Sequence, residues 1–423
     1  MNTTHSPNSF GVLALCSLLG APLLTACDSG DDVDEYGHER AAADPNSLTR
    51  ASEDAIIEAM EFEPSPEVFE YTGQIDDLDA PWRRGPRPGP LRAEPEGETH
   101  DASDDLVDLL TRDGRTYRQR LGTQGLHTGT ISDFEASPTP IEGEDPDLDE
   151  AIDSLTLREL ITGGVDNRIR STATSKQGVM VKIAGTSTST NTTCSASMIA
   201  PRVFLTAAHC VTDSNGDWSY GSADWVMPSV RGRSFSGSNT ALDSNDTPWG
   251  ARQVTRLIKP SAWTGGGSKY DYAILIIGDH APDNAGTIEW DPQPAKFAND
   301  DCDDLDGLTV NLRGYPGRTK TCASASSEDN GQCGGYAYVE AKPVDECTTN
   351  SIYYYLDSQE GQSGSPVYRY SAVTGVRTVV GINRGTFGSR NYGHKIRSGS
   401  YGAICAAVED PANFSSHFTN PSC

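Results

Sequence analysis

Gly361-Gln362-Ser363-Gly364-Ser365-Pro366 is a serine loop flanked by glycines, and it is matched far upstream by a second hexapeptide, Leu205-Thr206-Ala207-Ala208-His209-Cys210. A serine hydroxyl is a weak nucleophile unless a base removes its proton and donors stabilise the resulting oxyanion. The glycines around Ser363 allow a tight turn that presents amide hydrogens to such an oxyanion. His209 ends an apolar run and is placed to act as the base. Together the two hexapeptides predict nucleophilic acyl transfer at Ser363.

A third functional side chain is expected at the start of a buried strand between the two hexapeptides. Asp271 leads into Tyr272-Ala273-Ile274-Leu275-Ile276-Ile277, whose aromatic and β-branched residues are typical of a core strand. A carboxylate there is costly to bury unless it is paired. The chain order His209, Asp271, Ser363 is that of the chymotrypsin arrangement and differs from the orders in subtilisin and the α/β-hydrolases.

These residues predict a separate role for each side chain. Ser363 would attack the scissile carbonyl, His209 would take its proton and return it to the leaving amine, and Asp271 would hold the imidazole in place. The backbone amides of Gly361 and Ser363 would form the oxyanion hole, where each donor contributes about 3 kcal/mol in the transition state. No cofactor and no metal site are predicted.

Residues 161–423 resemble a chymotrypsin-like serine protease, in particular the bacterial glutamyl endopeptidases. The matching segments are 166–168, which resembles the start of the mature enzyme, and 205–210, 260–263, 270–272, 314–317 and 356–368. The resemblance implies two six-stranded antiparallel β-barrels with the active site in the cleft between them. It also implies protein or peptide substrates.

The pattern of the chain from residue 178 onward independently favours an all-β fold. Short strand-like runs recur between turn-rich clusters, which is typical of a barrel or a sandwich. The runs are 179–183, 197–206, 225–226, 253–258, 272–277, 309–313, 336–341, 352–356, 366–370 and 377–382. Residues 400–412 predict a short C-terminal helix.

Three residues bear on the side chain that precedes the scissile bond. The glutamyl branch carries a histidine that binds the substrate carboxylate, and Asn383 stands in its place. Asn383 could still donate a hydrogen bond, and Arg384 could supply a positive charge if it turns inward. Asp357 lies six residues before Ser363, where trypsins carry the acid that binds Arg or Lys. Preference for Glu or Asp is ranked first, and preference for Arg or Lys through Asp357 is the alternative.

The amino-terminal part of the chain divides into two segments. Residues 1–27 read as an export signal of the lipoprotein type, in which Cys27 would be lipidated; the alternative is an ordinary cysteine near a plain cleavage site. Residues 28–160 carry 35 acidic and 11 basic side chains, whereas 161–423 carry 25 and 22. Most of the formal charge of −27 therefore belongs to a segment outside the protease-like domain. No basic stripe suggests binding to nucleic acid.

Residues 28–160 are predicted to be a largely disordered acidic prosegment, because they are too polar to bury a large core. Two stretches within it, 52–63 and 102–112, could be helical. A cleavage near Leu160–Ile161 would then unblock the cleft of the 161–423 domain. The alternative is that 28–160 is only a spacer between a membrane and the enzyme. Gln362 occupies the position at which the trypsin branch carries an aspartate that pairs with the freed amino terminus, so that ion pair is not expected.

Eight cysteines follow Cys27, and an even number in an exported chain predicts disulfides. The resemblance implies a bridge between Cys194 and Cys210. The other six allow 15 pairings, and short-range pairing is the working choice: Cys302–Cys322, Cys333–Cys347 and Cys405–Cys423.

Two classes of function follow from the sequence. The first is an exported, monomeric serine endopeptidase at the bacterial cell envelope or secreted from it. The second is a surface-displayed binding protein that keeps the protease fold without its activity.

Overall fold

A computed structural model describes part of the chain, all of it within the unit 60–423. The described residues are 69–74, 106–112, 114–121, 162, 167–171, 181–185, 192–219, 223–230, 247, 249–266, 268–278, 294–317 and 336–410. The predicted signal with Cys27, the possible helix over 52–63 and three cysteines (Cys322, Cys333 and Cys423) lie outside them. Among the described residues, no helix has the length and apolarity needed to cross a membrane.

In the part of the chain that the structure describes, the first sheet contains nine strands. They are β1 (Phe69–Gln74), β2 (Leu106–Thr111), β3 (Arg115–Arg120), β5 (Val181–Ala184), β6 (Cys194–Ala200), β7 (Val203–Thr206), β8 (Trp225–Pro228), β9 (Arg252–Pro260) and β10 (Ala273–Ile277). Their order is β1-β3-β2-β9-β10-β7-β6-β5-β8, and a further pairing of β8 with β9 closes β5 to β10 into a six-stranded barrel. Every pair is antiparallel, and each residue of β10 is buried.

The second sheet forms another six-stranded barrel. Its strands are β11 (Lys296–Phe297), β12 (Thr309–Gly314), β13 (Tyr338–Cys347), β14 (Ser351–Tyr354), β15 (Pro366–Tyr370), β16 (Arg377–Phe387) and β17 (Arg390–Lys395), with β4 (Ile169–Arg170) paired to β13. The order β16-β15-β12-β13-β14-β17 closes because β16 also pairs with β17. The prediction of two antiparallel six-stranded barrels is confirmed.

Each barrel contains many buried apolar side chains. Leu205, Leu257 and Ile274 are fully buried in the first barrel, and Leu312 and Ile352 are buried in the second. Burial of one such side chain stabilises the fold by about 1.5–3 kcal/mol. The α-helix α2 (Ser398–Glu409) follows the last strand and confirms the predicted C-terminal helix, although it begins two residues earlier and ends before Pro411.

The acidic amino-terminal segment contributes three of the strands. The predicted helix over 102–112 is wrong, because Leu106–Thr111 is a strand that pairs with β3 on one side and with β9 on the other. Val107 and Leu109 lie two residues apart, which puts both on one side of a strand, and both are buried. Pairing with β9 determines the strand conformation of this segment, and the local sequence of 102–112 does not indicate that pairing.

The disulfides differ partly from the expected pairing. Cys194 is bonded to Cys210, as the resemblance implies. Cys302 is bonded to Cys347, so the short-range pairs Cys302–Cys322 and Cys333–Cys347 are wrong. The cause is topological: Cys302 begins the short helix α1 (Cys302–Leu305), Cys347 ends β13, and their Cα atoms lie 5.3 Å apart. Cys405 is also disulfide-bonded, and its expected partner Cys423 is outside the described residues.

Candidate active site

His209 and Asp271 meet because the strands beside them are paired. His209 lies in one turn of 3-10 helix just after β7, and Asp271 lies two residues before β10, where Thr206 is opposite Ala273. The imidazole Nδ1 is 2.8 Å from Asp271 Oδ2, and the His209 amide donates to Asp271 Oδ1 over 3.0 Å. This contact orients the imidazole and leaves its Nε2 for other chemistry.

Asp271 is completely buried and yet ionised. Burial alone would raise the pKa of its carboxyl, but the charges of His209 and Arg384 and the hydrogen bonds from His209 outweigh it, so the net pKa lies well below its ordinary value. A carboxylate with these partners remains a permanent anion next to the imidazole.

Arg384 is the second partner of Asp271 and is itself almost fully buried. Its Nε donates to Asp271 Oδ2, and its Nη1 donates to the Tyr392 hydroxyl over 2.9 Å. The guanidinium carbon lies 5.8 Å from the centre of the Trp263 ring and 5.6 Å from that of Tyr392, within the range of cation–π attraction. The third nitrogen, Nη2, is buried and has no hydrogen-bond partner among the residues that the structure describes.

Ser363 lies in the loop between β14 and β15, and its hydroxyl donates to the Arg384 carbonyl over 3.3 Å. No hydrogen bond joins it to His209 in this structure. Resting active sites often show such long or misaligned contacts, which tighten when substrate binds. Rotation of the Ser363 side chain about χ1 is therefore a required step in any mechanism that uses it.

Two glycines give the Ser363 loop its shape. Gly361 and Gly364 have φ of 93° and 80°, a region that side chains with a Cβ rarely adopt. A Cβ on Gly361 would lie 2.2 Å from the Gly317 nitrogen, and one on Gly364 would lie 2.1 Å from Thr206 Oγ1. Among the described residues, the amides of Gly361 and Ser363 donate to no other group. Both N–H groups are thus available for an oxyanion.

Ser195 is a residue of this site that sequence reasoning missed. Its hydroxyl donates to the Gly361 carbonyl over 2.9 Å, and its amide donates to the Ser363 carbonyl over 2.8 Å. The same hydroxyl accepts from the Tyr315 amide over 2.8 Å. Ser195 therefore fixes the serine loop of the second barrel to strand β6 of the first.

Asp357, the expected acid for a basic substrate side chain, is fully buried and its two oxygens have partners within the chain. The Thr162 amide and hydroxyl donate to Oδ1 over 2.7 and 2.8 Å, and the Asn167 amide donates to Oδ2 over 2.8 Å. The neighbouring Glu340 accepts from the Asp357 amide; burial and the Asp357 charge raise the pKa of its carboxyl. The carboxylate of Asp357 thus secures the segment that precedes the first barrel.

Asn383 is also buried, and the structure places its amide among groups of the protein. The Tyr354 hydroxyl donates to Oδ1 over 2.8 Å, while Nδ2 donates to Ser358 Oγ and to the Gln362 carbonyl, each over 2.9 Å. Burial raises the pKa of Tyr354 well above its ordinary value, so that hydroxyl stays protonated and remains a donor. Both hydrogens of the Asn383 amide have acceptors.

Gln362, just before Ser363, contacts Arg168 near the start of the 161–423 domain. Arg168 Nη1 donates to Gln362 Oε1, and Nη2 donates to Gln359 Oε1 over 3.3 Å. Gln362 Oε1 also accepts from the Gln359 amide over 3.0 Å. The serine loop is therefore attached to the chain start of the domain by an arginine side chain, and not by an ion pair to residue 362.

Among the described residues, one group of potential metal ligands includes His209. Cys194, His209 and Cys210 bring their ligand atoms within 4.8 Å of one another. The two sulfurs are bonded to each other as a disulfide, and a metal binds the thiolate form of cysteine. The donor set therefore does not fit a metal ion.

Comparison with known proteins finds a matching family and similar relatives. A family model described as Trypsin matches residues 167–402, more than half of the chain. A glutamyl endopeptidase from Bacillus licheniformis is 26% identical over 208 residues, which are 48% of this chain and 55% of that protein. An extracellular metalloprotease from Bacillus subtilis is 24% identical over 267 residues, 62% of this chain and 74% of that protein. The match to the first relative thus spans only about half of its length.

Two solved structures are similar. A Glu endopeptidase in complex with MPD has a TM-score of 0.41 at 20% identity, and the match covers 58% of this chain and 98% of that one. A thermostable serine protease, AL20, from an extremophilic microorganism has a TM-score of 0.35 at 17% identity, with 49% and 86% covered.

Proposed function

The chain belongs to the trypsin family, and we propose that it is a serine endopeptidase that cleaves peptide bonds through an acyl-enzyme on Ser363. The observation that carries the proposal is the His209–Asp271 pair, held by strand register, on the same site as a serine loop with two unused amides. A binding protein would have no need of an imidazole held by a buried anion.

The reaction begins when the Ser363 hydroxyl leaves the Arg384 carbonyl and reaches His209 Nε2. His209 takes the hydroxyl proton as Ser363 Oγ bonds to the scissile carbon, and Asp271 stabilises the imidazolium that forms. The amides of Gly361 and Ser363 donate to the oxyanion of the tetrahedral intermediate. His209 then returns the proton to the amine of the leaving peptide, and a water molecule attacks the ester by the same steps.

We propose Glu or Asp as the residue before the scissile bond, with Arg384 as the cationic partner of its carboxylate. Arg384 is the one of the three candidate residues that keeps a donor without a partner, its Nη2. The Bacillus licheniformis relative is a glutamyl endopeptidase, which supports the same preference. The alternative, Arg or Lys through Asp357, has less support because four protein hydrogen bonds already satisfy that carboxylate.

The test is cleavage-site mapping on a mixed peptide library. Residues 28–423 and the matched Ser363→Ala protein are produced in an oxidising host, and the cut sites are read by mass spectrometry. We expect cuts after Glu or Asp that the Ser363→Ala protein does not make. Cuts after Arg or Lys would transfer the specificity role to Asp357.

The second class, a binding protein, would require the Ser363 hydroxyl to stay on the Arg384 carbonyl and not to reach His209. A serine-directed phosphonate separates the two classes, because covalent labelling of Ser363 needs a working base. We expect labelling of the native protein and none of His209→Ala. An unlabelled native protein that still binds peptides would favour the binding module.

We further propose that the protein is exported as a monomer, that residues 1–27 are its signal, and that Cys27 carries lipid. The name of the Bacillus subtilis relative, which is extracellular, supports export. Cleavage near 160–161 would separate the prosegment from the 161–423 domain. Mass spectrometry of the protein from its membrane fraction, compared with Cys27→Ala, measures the lipid and the new amino terminus together.

A further inference from the structure

We propose that the hairpin formed by β2 and β3, residues 106–120, is a permanent part of the first barrel and stays bound to it after the chain is cut near 160–161. The inference rests on the proposed cleavage only for its biological setting. The contacts that carry it lie within the described residues.

The first argument is the backbone pairing between β2 and β9. Five consecutive residue pairs join the two strands, from Val107 opposite Pro260 to Thr111 opposite Arg256. The pairing continues at both ends, since the Ser261 amide donates to the Leu106 carbonyl and the Arg112 amide donates to the Thr255 carbonyl, each over 2.9 Å. Without β2, this edge of β9 would present a row of unpaired backbone groups, which proteins normally cover.

The second argument is the apolar side chains that β2 adds to the barrel. Leu109 and Leu110 are 1% and 0% exposed, and Val107 and Tyr117 are also buried. Val107 and Leu110 belong to the same apolar cluster as the interior of the first barrel. A separated hairpin would return these side chains to water and would also uncover the barrel residues beneath them, so the hydrophobic effect opposes its departure.

The third argument is a polar cluster around Asp108 that joins the hairpin to the end of β9. Asp108 accepts from Arg118 Nε over 2.8 Å and from Ser261 Oγ over 2.7 Å, and the Lys259 ammonium is 3.8 Å away. Lys259 is largely buried; burial lowers its pKa, and the Asp108 charge opposes that change. Its ammonium also lies 5.1 Å from the centre of the Trp218 ring.

A second ion pair lies at the other end of the strand. Arg112 Nη1 is 2.7 Å from Asp224 Oδ1, in the chain just before β8. The hairpin therefore contacts the barrel through both ends of β2 as well as along its edge. None of His209, Asp271 and Ser363 is hydrogen-bonded or ion-paired to it.

The hairpin nevertheless lies one short connection away from the active site. Ser261, which it binds through backbone and side chain, is two residues before Trp263. The Trp263 indole donates to Thr212 Oγ1 over 2.9 Å, and its ring packs against the Arg384 guanidinium. The bound hairpin thus helps to hold Trp263 and, through it, Arg384. Its role in the mature enzyme is therefore to support the site and not to block it.

The test separates retention of the hairpin from natural processing. A recognition sequence for a site-specific protease is inserted between residues 150 and 160 of the Ser363→Ala protein, which cannot cut itself. After the engineered cut, we expect the amino-terminal fragment and residues 161–423 to co-elute in size-exclusion chromatography and to give one mass in native mass spectrometry. Elution of the two fragments apart in non-denaturing buffer would overturn the proposal.

Variants show whether the described contacts are responsible. Leu110→Asp in β2 should release the fragment after the engineered cut, and Asp108→Asn should release it at a lower salt concentration than the parent needs. The matched control is Arg120→Ala, at an exposed position of β3, which should retain the fragment. Retention by Leu110→Asp as firm as in the control would mean that another part of 28–160 makes the contact, and would also overturn the proposal. Failure of natural processing would leave both results unaffected.

Discussion

The two barrels supply the candidate site in different ways. The first barrel provides His209 and Asp271, and each is positioned by a residue pair of adjacent strands, β7 and β10. The second barrel provides Asp357, Asn383 and Arg384, whose polar groups are held by backbone and side-chain groups from other parts of the chain. Chemistry that depends on strand register can be predicted from a motif. A specificity that depends on which distant groups form hydrogen bonds to a side chain cannot be predicted in that way.

Asp357 and Asn383 illustrate the second case. The sequence position of Asp357 predicts an acid facing a substrate, yet residues 195 and 190 positions earlier donate to it. Asn383 accepts from Tyr354 and donates to Ser358, 29 and 25 positions away. Turning such a side chain toward a ligand would break its hydrogen bonds within the protein and would therefore cost free energy. Arg384 differs because one of its nitrogens is not satisfied.

The largest effect is expected at the nucleophile. Ser363→Ala should reduce kcat by about 10⁶-fold, and His209→Ala combined with it should cost little more, because the two residues act as a unit. Hydrolysis of a fluorogenic peptide measures both. Ser371→Ala, in the turn after β15, is the control and should keep full activity. Residual turnover in Ser363→Ala within tenfold of the parent would show that another group is the nucleophile.

The second prediction compares the two barrels directly, because Arg384 of the second barrel contacts Asp271 of the first and is the proposed partner of the substrate carboxylate. Arg384→Gln should reduce kcat/KM for a Glu peptide about 10²-fold more than for the matching Gln peptide, the loss expected for a charge-assisted hydrogen bond. Arg390→Gln, which removes an arginine paired with Asp345 and Glu346 on the same sheet, is the control. Equal losses on the two peptides would remove Arg384 from specificity.

The sequence predicted most of the architecture. Its runs of aliphatic and aromatic residues correspond to strands of both barrels, for example 366–370, which matches β15 residue for residue. It missed β17 because Arg390-Asn391-Tyr392-Gly393-His394-Lys395 contains no aliphatic run. The hairpin over 106–120 was also missed. It has too few buried residues to form a core by itself, and the sequence does not show that it pairs with β9.

The candidate catalytic residues were predictable for a related reason. Each lies in a short segment whose local character, an apolar strand end or a glycine-rich turn, is visible in the sequence. Ser195 was not predicted although it fixes the serine loop, because a serine within an apolar strand carries no sign of the distant carbonyls that it binds. The pairing of Cys302 with Cys347 needed the three-dimensional approach of α1 to β13.

The third prediction tests whether Asp357 is structural. Asp357→Asn should leave the cleavage preference unchanged and should lower the free energy of unfolding by about 1–3 kcal/mol, because an amide NH₂ would face the donors of Thr162 and Asn167. Urea denaturation measures the loss. Asp345→Asn, at the protein surface, is the control for removal of one carboxylate. A change of preference away from basic side chains would instead restore Asp357 to substrate binding.

The last prediction concerns the second histidine near Asp271, whose surroundings differ from those of His209. His394 is fully buried, its Nδ1 is 2.8 Å from the Ser268 carbonyl, and its ring stacks on Tyr272 with centroids 5.2 Å apart. Burial, assisted by the charge of Arg397, lowers its pKa to about 3. It is therefore neutral at the pH at which His209 must act as a base, and it cannot replace that residue.

The sign of the resulting stability change follows from proton linkage. Between the unfolded pKa of histidine, about 6.5, and the folded value near 3, the unfolded chain binds a proton at residue 394 that the folded protein does not. The stabilisation is therefore complete above the unfolded value and is lost as the pH falls toward 3, by up to about 1.4 kcal/mol per pH unit. Chemical denaturation of the Ser363→Ala protein at pH 7, 6, 5 and 4 measures this slope. In the same background His394→Gln, which keeps an amide donor for the Ser268 carbonyl, should show a shallower dependence of the unfolding free energy on pH. A slope equal to that of the parent would assign the acid sensitivity to other groups.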